Sequence, residues 1–236
     1  ENTEAGGDQF RGSGGPLFVA RNDDQLHPLY NAYLQACEQA GLPFNPDFNG
    51  ASQEGVGQYQ LTVKNGERNS AARAFLKPAM RRPNLRVITE AFVHRLLFEG
   101  RRCTGVSYMQ GGQLKVLPAG REVIVASGAV NSPQLLQLSG LGPSPMLRGT
   151  GIDVVHELPQ VGRNLQDHVG INYTYRMRQP TLNDELRPWT GKIIAGLRYM
   201  LQRRGPLSLS INQGGGFFRT SEAHALPNMQ LYMQAF

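Results

Sequence analysis

The chain has 236 residues, 40% of them hydrophobic, with 24 basic and 18 acidic residues and a net charge of +6. This length accommodates one large domain or two small ones. The basic residues are interspersed with acidic ones and form no stripe with aromatic residues, so a nucleic-acid-binding protein is not expected. No apolar run approaches the length of a membrane span, and no signal peptide is visible.

The two cysteines and the chain ends bear on cellular context. Cys37 and Cys103 have neither a CxxC pattern nor a metal-ligand spacing, so we predict a reducing compartment without a disulfide framework. The chain begins with Glu1 instead of Met, and it ends on an apolar run at 231–236. We interpret both ends as cuts in a longer protein.

The first third of the chain combines a helix with turn-rich segments. Residues 1–26 are glycine-rich and polar, which is typical of a lid or linker. Residues 27–40 predict a helix, because Pro28 stands at its start and Gly41 follows its apolar stripe. The other elements predicted before residue 81 are a strand at 59–63, a sharp turn at Asn65-Gly66 and a helix at 71–80.

Short strands dominate the middle of the chain. Glycine turns separate them, and the predicted segments are 86–90, 92–98, 104–109 and 113–117, followed by a buried strand at 122–127. Antiparallel strands inserted before a buried strand form a β-meander crossover, which differs from the helical crossover of ordinary βαβ units.

A strand, a glycine turn and a helix meet at residues 121–142. Four consecutive apolar residues, 123–126, predict a strand buried on both faces. Ser132 fits the N-cap of a helix, and Pro133 fits its first helical position. Gly140 fits the position that follows the end of the helix. Two interpretations stay open: an ordinary strand-to-helix crossover, or a ligand site at a strand's carboxyl end beside a helix N-terminus.

The last third begins with a loop and ends in a second sheet. Asp167 and His168 are adjacent and should point in different directions, so we favour a structured loop with an Asp–His pair over a catalytic dyad. The remaining predicted elements are a helical turn at 143–148, strands at 154–155, 171–177, 214–218 and 229–233, and a helix at 192–203. They indicate an antiparallel sheet backed by a helix.

The letters of the central segment are specific. The pattern Gly128-Ala129-x-x-Ser132-Pro133-x-Leu135-Leu136-x-x-Ser139-Gly140-Leu141-Gly142 resembles the second signature of the glucose–methanol–choline (GMC) flavoprotein oxidoreductases. The similarity extends over nearly the whole chain, including Gly14-Gly15-Pro16-Leu17, Asp47-Phe48-Asn49-Gly50, Val161-Gly162-Arg163-Asn164-Leu165-Gln166-Asp167-His168 and Gln213-Gly214-Gly215-Gly216-Phe217. It is strongest to the choline dehydrogenase and alcohol dehydrogenase branch.

The resemblance implies an α/β fold with a partial FAD-binding domain of the glutathione-reductase type, including the β-meander, and a partial α+β substrate domain with an antiparallel sheet. It implies FAD as cofactor and the oxidation of a primary alcohol. A base takes the hydroxyl proton while hydride passes to flavin N5. The implied partner is a small-molecule alcohol, and the expected location is the cytoplasm, with peripheral association with the inner membrane as the alternative.

Four residues match family positions that contact the cofactor. Val93 matches the position whose backbone meets the FAD adenine, and an ordinary core valine is the alternative. Ser127, Gly128 and Ala129 match the strand end that lies against the cofactor, where small residues let the backbone approach closely.

Two family features are missing from this sequence. It contains no GxGxxG, and none of the five histidines, His27, His94, His156, His168 and His224, stands in the catalytic context or at a metal spacing. We therefore assign no catalytic and no metal-binding residue. We expect that these 236 residues alone neither hold FAD tightly nor turn over.

These residues and the resemblance predict an internal fragment of an FAD-dependent alcohol or choline dehydrogenase. We assign residues 1–50 to a lid and substrate-side segment, 51–168 to the partial FAD-binding domain and 169–236 to the partial substrate-binding domain. An oxidase of the same family and a non-catalytic interaction module of the same fold remain the alternatives.

Overall fold

The computed structural model describes residues 2–4 and 6–236. Its strands are β1 (Asn2–Thr3), β2 (Phe18–Val19), β3 (Gly55–Gln58), β4 (Val63–Lys64), β5 (Glu67–Arg68), β6 (Phe92–Glu99), β7 (Arg102–Gln110), β8 (Gln113–Pro118), β9 (Leu141–Gly142), β10 (His156–Glu157), β11 (Asn212–Phe218) and β12 (Met229–Gln234). Its α-helices are α1 (Pro28–Gln39), α2 (Lys77–Ala79), α3 (Gly128–Leu138), α4 (Ser144–Gly149), α5 (Leu182–Leu186) and α6 (Trp189–Gln202). Within this described part, no helix combines the length and apolar character that crossing a bilayer requires.

The chain divides into two compact units. Residues up to Leu85 and Thr174–Phe236 form the first unit, and Arg86–Tyr173 forms the second. Residues 51–85 thus pack with the chain's two ends, whereas the pattern of the sequence predicts one group over 51–168. The assignment of segments to a cofactor domain and a substrate domain stays a prediction.

The first unit is built on a three-stranded antiparallel sheet with the order β12-β11-β3. Helix α1 covers one face, because its buried residues recur at helical spacing: Leu29, Tyr30, Leu34 and Cys37. Leu29 and Tyr30 pack with Ala235 of the β12 end, and Leu34 and Cys37 pack with Val56 of β3. His27 caps α1, since its Nδ1 accepts from the backbone N–H of Leu29 at 3.3 Å.

Most sequence predictions for the first unit are confirmed. Helices α1 and α6 and strands β11 and β12 lie within a few residues of their predicted ranges. Asn65 and Gly66 both have positive φ, 54° and 69°, and join β4 to β5 as a tight hairpin. The predicted strand at 59–63 is displaced, because the chain pairs at 55–58 and again at 63–64. The predicted helix at 71–80 is a π-helical turn, Ala72–Leu76, followed by α2.

The second unit contains the predicted meander as the antiparallel sheet β6-β7-β8. Helix α3 packs beside β6. The buried hydroxyl of Ser139, at the end of α3, accepts from the Leu96 N–H at 2.9 Å and donates to the Leu135 carbonyl at 2.6 Å. This hydroxyl joins the helix end to the middle of β6, an edge strand of the meander.

Three predicted strands are wrong and a fourth is displaced. Residues 86–90, 122–127 and 171–177 form no strand in the described structure, and Ile124, which we expected to be buried, is 81% exposed. The strand predicted at 154–155 lies two residues later, as β10. A strand needs a neighbour to pair its backbone groups, and no described strand lies along the three unpaired segments. An apolar run alone therefore does not make a strand.

The start of α3 also differs from the prediction. The helix begins at Gly128 with Ser127 as its N-cap, so Ser132 and Pro133 lie inside the helix. Ser132 is therefore not the N-cap, and its Oγ accepts from the backbone N–H of Ser127 at 2.9 Å. Gly140 ends the helix as predicted: its φ is +86°, and a Cβ there would lie 2.5 Å from the Asp153 carbonyl oxygen.

The Tyr30 hydroxyl provides a test of the first unit. The side chain is 1% exposed, its hydroxyl lies 2.6 Å from the carbonyl oxygens of Ile211 and Met233, and it accepts from the Gln213 N–H at 3.1 Å. Tyr30→Phe removes the partner of the buried Gln213 N–H and should lower the free energy of unfolding by about 1–3 kcal/mol, measured by urea denaturation. Tyr199→Phe is the control, because the Tyr199 ring keeps its contact with Arg203. An equal loss of unfolding free energy in both variants would contradict a stabilising role of the Tyr30 hydroxyl.

Candidate functional site

In the second unit, the backbone at the start of α3 is exposed to solvent. Ser127, Gly128 and Ala129 are all exposed, and a Cβ placed on Gly128 would meet nothing within 4 Å. The first N–H groups of a helix lack partners within it, and they carry partial positive charge. The structure therefore places these three predicted site residues together on an accessible helix N-terminus.

Val93 lies in the same unit, on β6. It pairs with Tyr108 of β7, and its side chain is 39% exposed. Because α3 packs beside β6, the four predicted cofactor contacts lie on neighbouring elements. Their roles stay predictions.

The chemistry of this surface fits FAD. The four residues are small or apolar and uncharged, so they offer backbone groups and van der Waals contact in place of ionic partners. Other exposed apolar side chains flank them, namely Phe92, Ile124 and Val130. A large cofactor with ring systems can bury such a surface, and the open backbone of Gly128 leaves room for close approach.

The Asp167–His168 pair lies in a loop, as predicted. Both side chains are 93% exposed, and Asp167 Oδ1 accepts from the His168 backbone N–H at 2.8 Å. The expectation that the side chains point apart is wrong, since Oδ1 and Nδ1 are 3.7 Å apart. The Asp167 carboxylate therefore stabilises the local backbone and lies close to the His168 ring. Both side chains remain exposed to water.

Sequence analysis missed a pocket of ≈ 250 Å³ in the first unit. Four aromatic residues and six amides line it: Phe48, Tyr59, Phe217, Tyr232, Asn49, Gln53, Gln58, Gln60, Asn212 and Gln230. The strand register explains the arrangement, because Tyr232 pairs with Gly215 and Gln230 pairs with Phe217 on β11. The alternation Gln230-x-Tyr232 is the signal in the sequence that could have indicated this face.

The aromatic residues of the pocket form one cluster around Tyr59 and Phe217. The centroids of Phe48 and Phe217 are 5.0 Å apart in an edge-to-face contact, and Tyr59 lies 5.6 to 6.3 Å from the other three rings. Such tilted and edge-to-face pairs are the favoured geometry of aromatic rings. The cluster fixes the floor of the pocket.

A chain of hydrogen bonds crosses the pocket wall. The Tyr232 hydroxyl donates to Gln230 Oε1 at 2.6 Å, Gln230 Nε2 donates to the Tyr59 hydroxyl at 3.3 Å, and that hydroxyl donates to the Leu231 carbonyl at 2.9 Å. Burial raises the pKa of Tyr59 to about 12, so the phenol is neutral at physiological pH. The wall is thus polar and uncharged.

An acidic side chain that contacts this wall is paired with an arginine. Asp47 accepts from Gln60 Nε2 at 3.4 Å and from both terminal nitrogens of Arg11, whose side chain is 4% exposed. These arginine hydrogen bonds hold the pKa of Asp47 below its ordinary value. Within the described residues, no group of three His, Cys, Asp or Glu side chains could hold a metal ion.

The raised pKa of Tyr59 predicts a loss of stability at alkaline pH. The ordinary tyrosine pKa is near 10, so the unfolded chain ionises at this residue about two pH units before the folded chain does. The free energy of unfolding should therefore be unaffected below pH 10 and fall between pH 10 and 12. Urea denaturation at pH 9 and pH 11 should show a smaller decline in Tyr59→Phe than in the wild type. Equal declines would place Tyr59 in contact with water.

Comparison with known proteins gives the family. The family model described as GMC oxidoreductase matches residues 2–170. The mitochondrial choline dehydrogenase of Mus musculus is 43% identical over 230 residues, which cover 97% of this chain and 38% of that protein. The alcohol dehydrogenase [acceptor] of Pseudomonas putida is 44% identical over 227 residues, which cover 94% of this chain and 41% of that protein.

Solved structures give the same result. Pyridoxine 4-oxidase from Mesorbium loti matches with a TM-score of 0.81 and 28% identity, covering 99% of this chain and 42% of that one. An FAD-dependent oxidoreductase from Chaetomium thermophilum matches with a TM-score of 0.79 and 26% identity, covering 90% of this chain and 38% of that one. The chain therefore spans about two fifths of the length of the proteins it matches.

These findings confirm several predictions from the sequence. They confirm the α/β flavoprotein fold and FAD as the cofactor of the family. They also confirm that similar relatives are found among the choline and alcohol dehydrogenases. Because the family model matches more than half of the residues, the chain belongs to the GMC oxidoreductase family of enzymes.

Proposed function

We propose that the chain is part of an FAD-dependent oxidoreductase that oxidises the CH–OH group of a primary alcohol. The observation that carries this proposal is the 44% identity to an alcohol dehydrogenase over 94% of the chain. The proposed substrate is a small alcohol, and the proposed location is the cytoplasm, with peripheral association with the inner membrane as the finer alternative.

The second unit has the features of the cofactor side. The backbone of Val93 on β6 would meet the adenine, and the open backbone of Ser127, Gly128 and Ala129 would lie against the cofactor. When bound, FAD supplies the hydride acceptor for the reaction. The residues of this chain would orient the cofactor through their backbone groups. The exposed apolar side chains beside these residues would exclude water from the cofactor.

The first unit has the features of the substrate side. Its pocket combines an aromatic floor with amide and hydroxyl groups that can donate to or accept from an alcohol. None of the lining side chains is a base at neutral pH, so the pocket binds and orients the alcohol. The hydroxyl proton must pass to a group that this lining does not contain.

The complete flavoprotein provides the direct test. We expect the protein expressed from the whole coding sequence around this chain to purify with a flavin spectrum and to lose its absorbance near 450 nm when a primary alcohol is added without oxygen. The 236-residue chain alone should purify colourless, because it contains no GxGxxG for the pyrophosphate. A complete protein that binds no flavin would support the non-catalytic module instead. Rapid reoxidation in air would identify an oxidase.

A substitution at the start of α3 tests the cofactor contact. Ala129→Leu adds bulk where the backbone should approach FAD, and we expect at least a tenfold rise in the Kd for FAD, equivalent to about 1.4 kcal/mol. The readout is flavin reconstitution of the complete apoprotein. Ala36→Leu is the matched control, because Ala36 is also exposed on a helix but lies in the other unit. Unchanged affinity in Ala129→Leu would remove this residue from the site.

A further inference from the structure

The pocket in the first unit also indicates which alcohol the enzyme prefers. Resting on the function proposed above, we propose that this pocket selects uncharged alcohols and discriminates against cationic alcohols that carry a quaternary ammonium group. The relatives named above include both a choline dehydrogenase and an alcohol dehydrogenase, so this distinction divides the branch to which the chain is similar.

The lining supplies no negative charge. Its ten residues are phenylalanine, tyrosine, asparagine and glutamine, without Asp, Glu, Lys, Arg or His. A cation that leaves water for such a pocket loses its hydration and gains no ionic partner. A neutral alcohol loses much less hydration and keeps its hydrogen bonds through the amides.

The carboxylates near the lining are already neutralised. Asp47 next to Phe48 is held by both terminal nitrogens of Arg11. Glu54 next to Gln53 accepts from Arg219 Nε at 3.0 Å and pairs with its terminal nitrogen at 3.0 Å. Because the positive charge of the arginine offsets the negative charge of the carboxylate in each pair, neither pair provides a net negative charge for a bound cation.

The four aromatic rings of the pocket contact one another. Phe48 and Phe217 meet edge to face, and Tyr59 lies against Phe48, Phe217 and Tyr232. A cage for an ammonium group needs ring faces turned toward one common point. Tyr232 is the most accessible ring, at 54% exposure, and its hydroxyl is directed to Gln230. The cluster therefore supplies apolar contact for the body of an alcohol.

The test compares two alcohols that differ only in charge. Choline and 3,3-dimethylbutan-1-ol have the same shape, with a quaternary nitrogen in one and a quaternary carbon in the other. We expect kcat/KM of the complete, flavin-loaded enzyme to be at least tenfold higher for 3,3-dimethylbutan-1-ol. An equal or higher value for choline would overturn the proposal, and this comparison needs no variant.

A charge placed in the pocket should shift the preference. Gln230→Glu is nearly isosteric and keeps an acceptor for the Tyr232 hydroxyl, and it adds a carboxylate to the wall. We expect the ratio of kcat/KM for choline to that for the neutral isostere to rise at least tenfold. Gln35→Glu is the matched control, because Gln35 is exposed on α1 and does not line the pocket. An equal change in both variants, or none in Gln230→Glu, would contradict a role for this pocket.

The outcomes separate this proposal from the proposed function. If the enzyme oxidises alcohols but prefers choline, the function stands and the selectivity fails. If it oxidises no alcohol, the function fails. The selectivity is then decided by ligand-observed NMR titration of the same protein with the two compounds, where tighter binding of choline would overturn it.

Discussion

The close contact of side chains with the glycine strand β11 is the constraint on which the first unit depends. A Cβ on Gly214 would lie 3.2 Å from the Tyr30 ring of α1, and one on Gly215 would overlap the Tyr59 hydroxyl on the other face. Because these positions lack side chains, α1 can seal one face while Tyr59 joins Phe217 and forms the floor of the pocket. The packing of the core and the shape of the pocket thus have one common cause.

The parts of the fold that the sequence predicts correctly are those whose signal is local. Helix α1 has its cap, its apolar stripe and its terminal glycine within 15 residues, and Asn65-Gly66 contains its whole turn. The failures need distant partners: residues 86–90, 122–126 and 171–177 carry strand-like patterns, but no described strand pairs with them. The misplaced start of α3 has a different cause, because Ser132, which we expected at the N-cap, lies inside the helix and binds the Ser127 N–H from there.

The two candidate sites differ in how far the sequence alone predicts them. The start of α3 is continuous in the chain and belongs to a recognisable motif, so its residues could be named before the structure was known. The pocket is assembled from residues 48–60, 212–217 and 230–232, which come together only through the pairing of β3, β11 and β12. Residue composition at these positions shows aromatic and amide groups, but only the strand register shows that they share one face.

The exposed apolar residues beside the start of α3 and the unpaired segment 122–126 have one explanation. A run of Val and Ile that lacks neighbouring strands turns to solvent the side chains that a sheet would bury, which accounts for the 81% exposure of Ile124. The same lack of a neighbouring strand leaves Ser127–Ala129, which follow this segment directly, exposed. The surface around these residues therefore has the character of half a cofactor site: backbone and apolar contacts are present, and a phosphate-binding glycine loop is not part of this sequence.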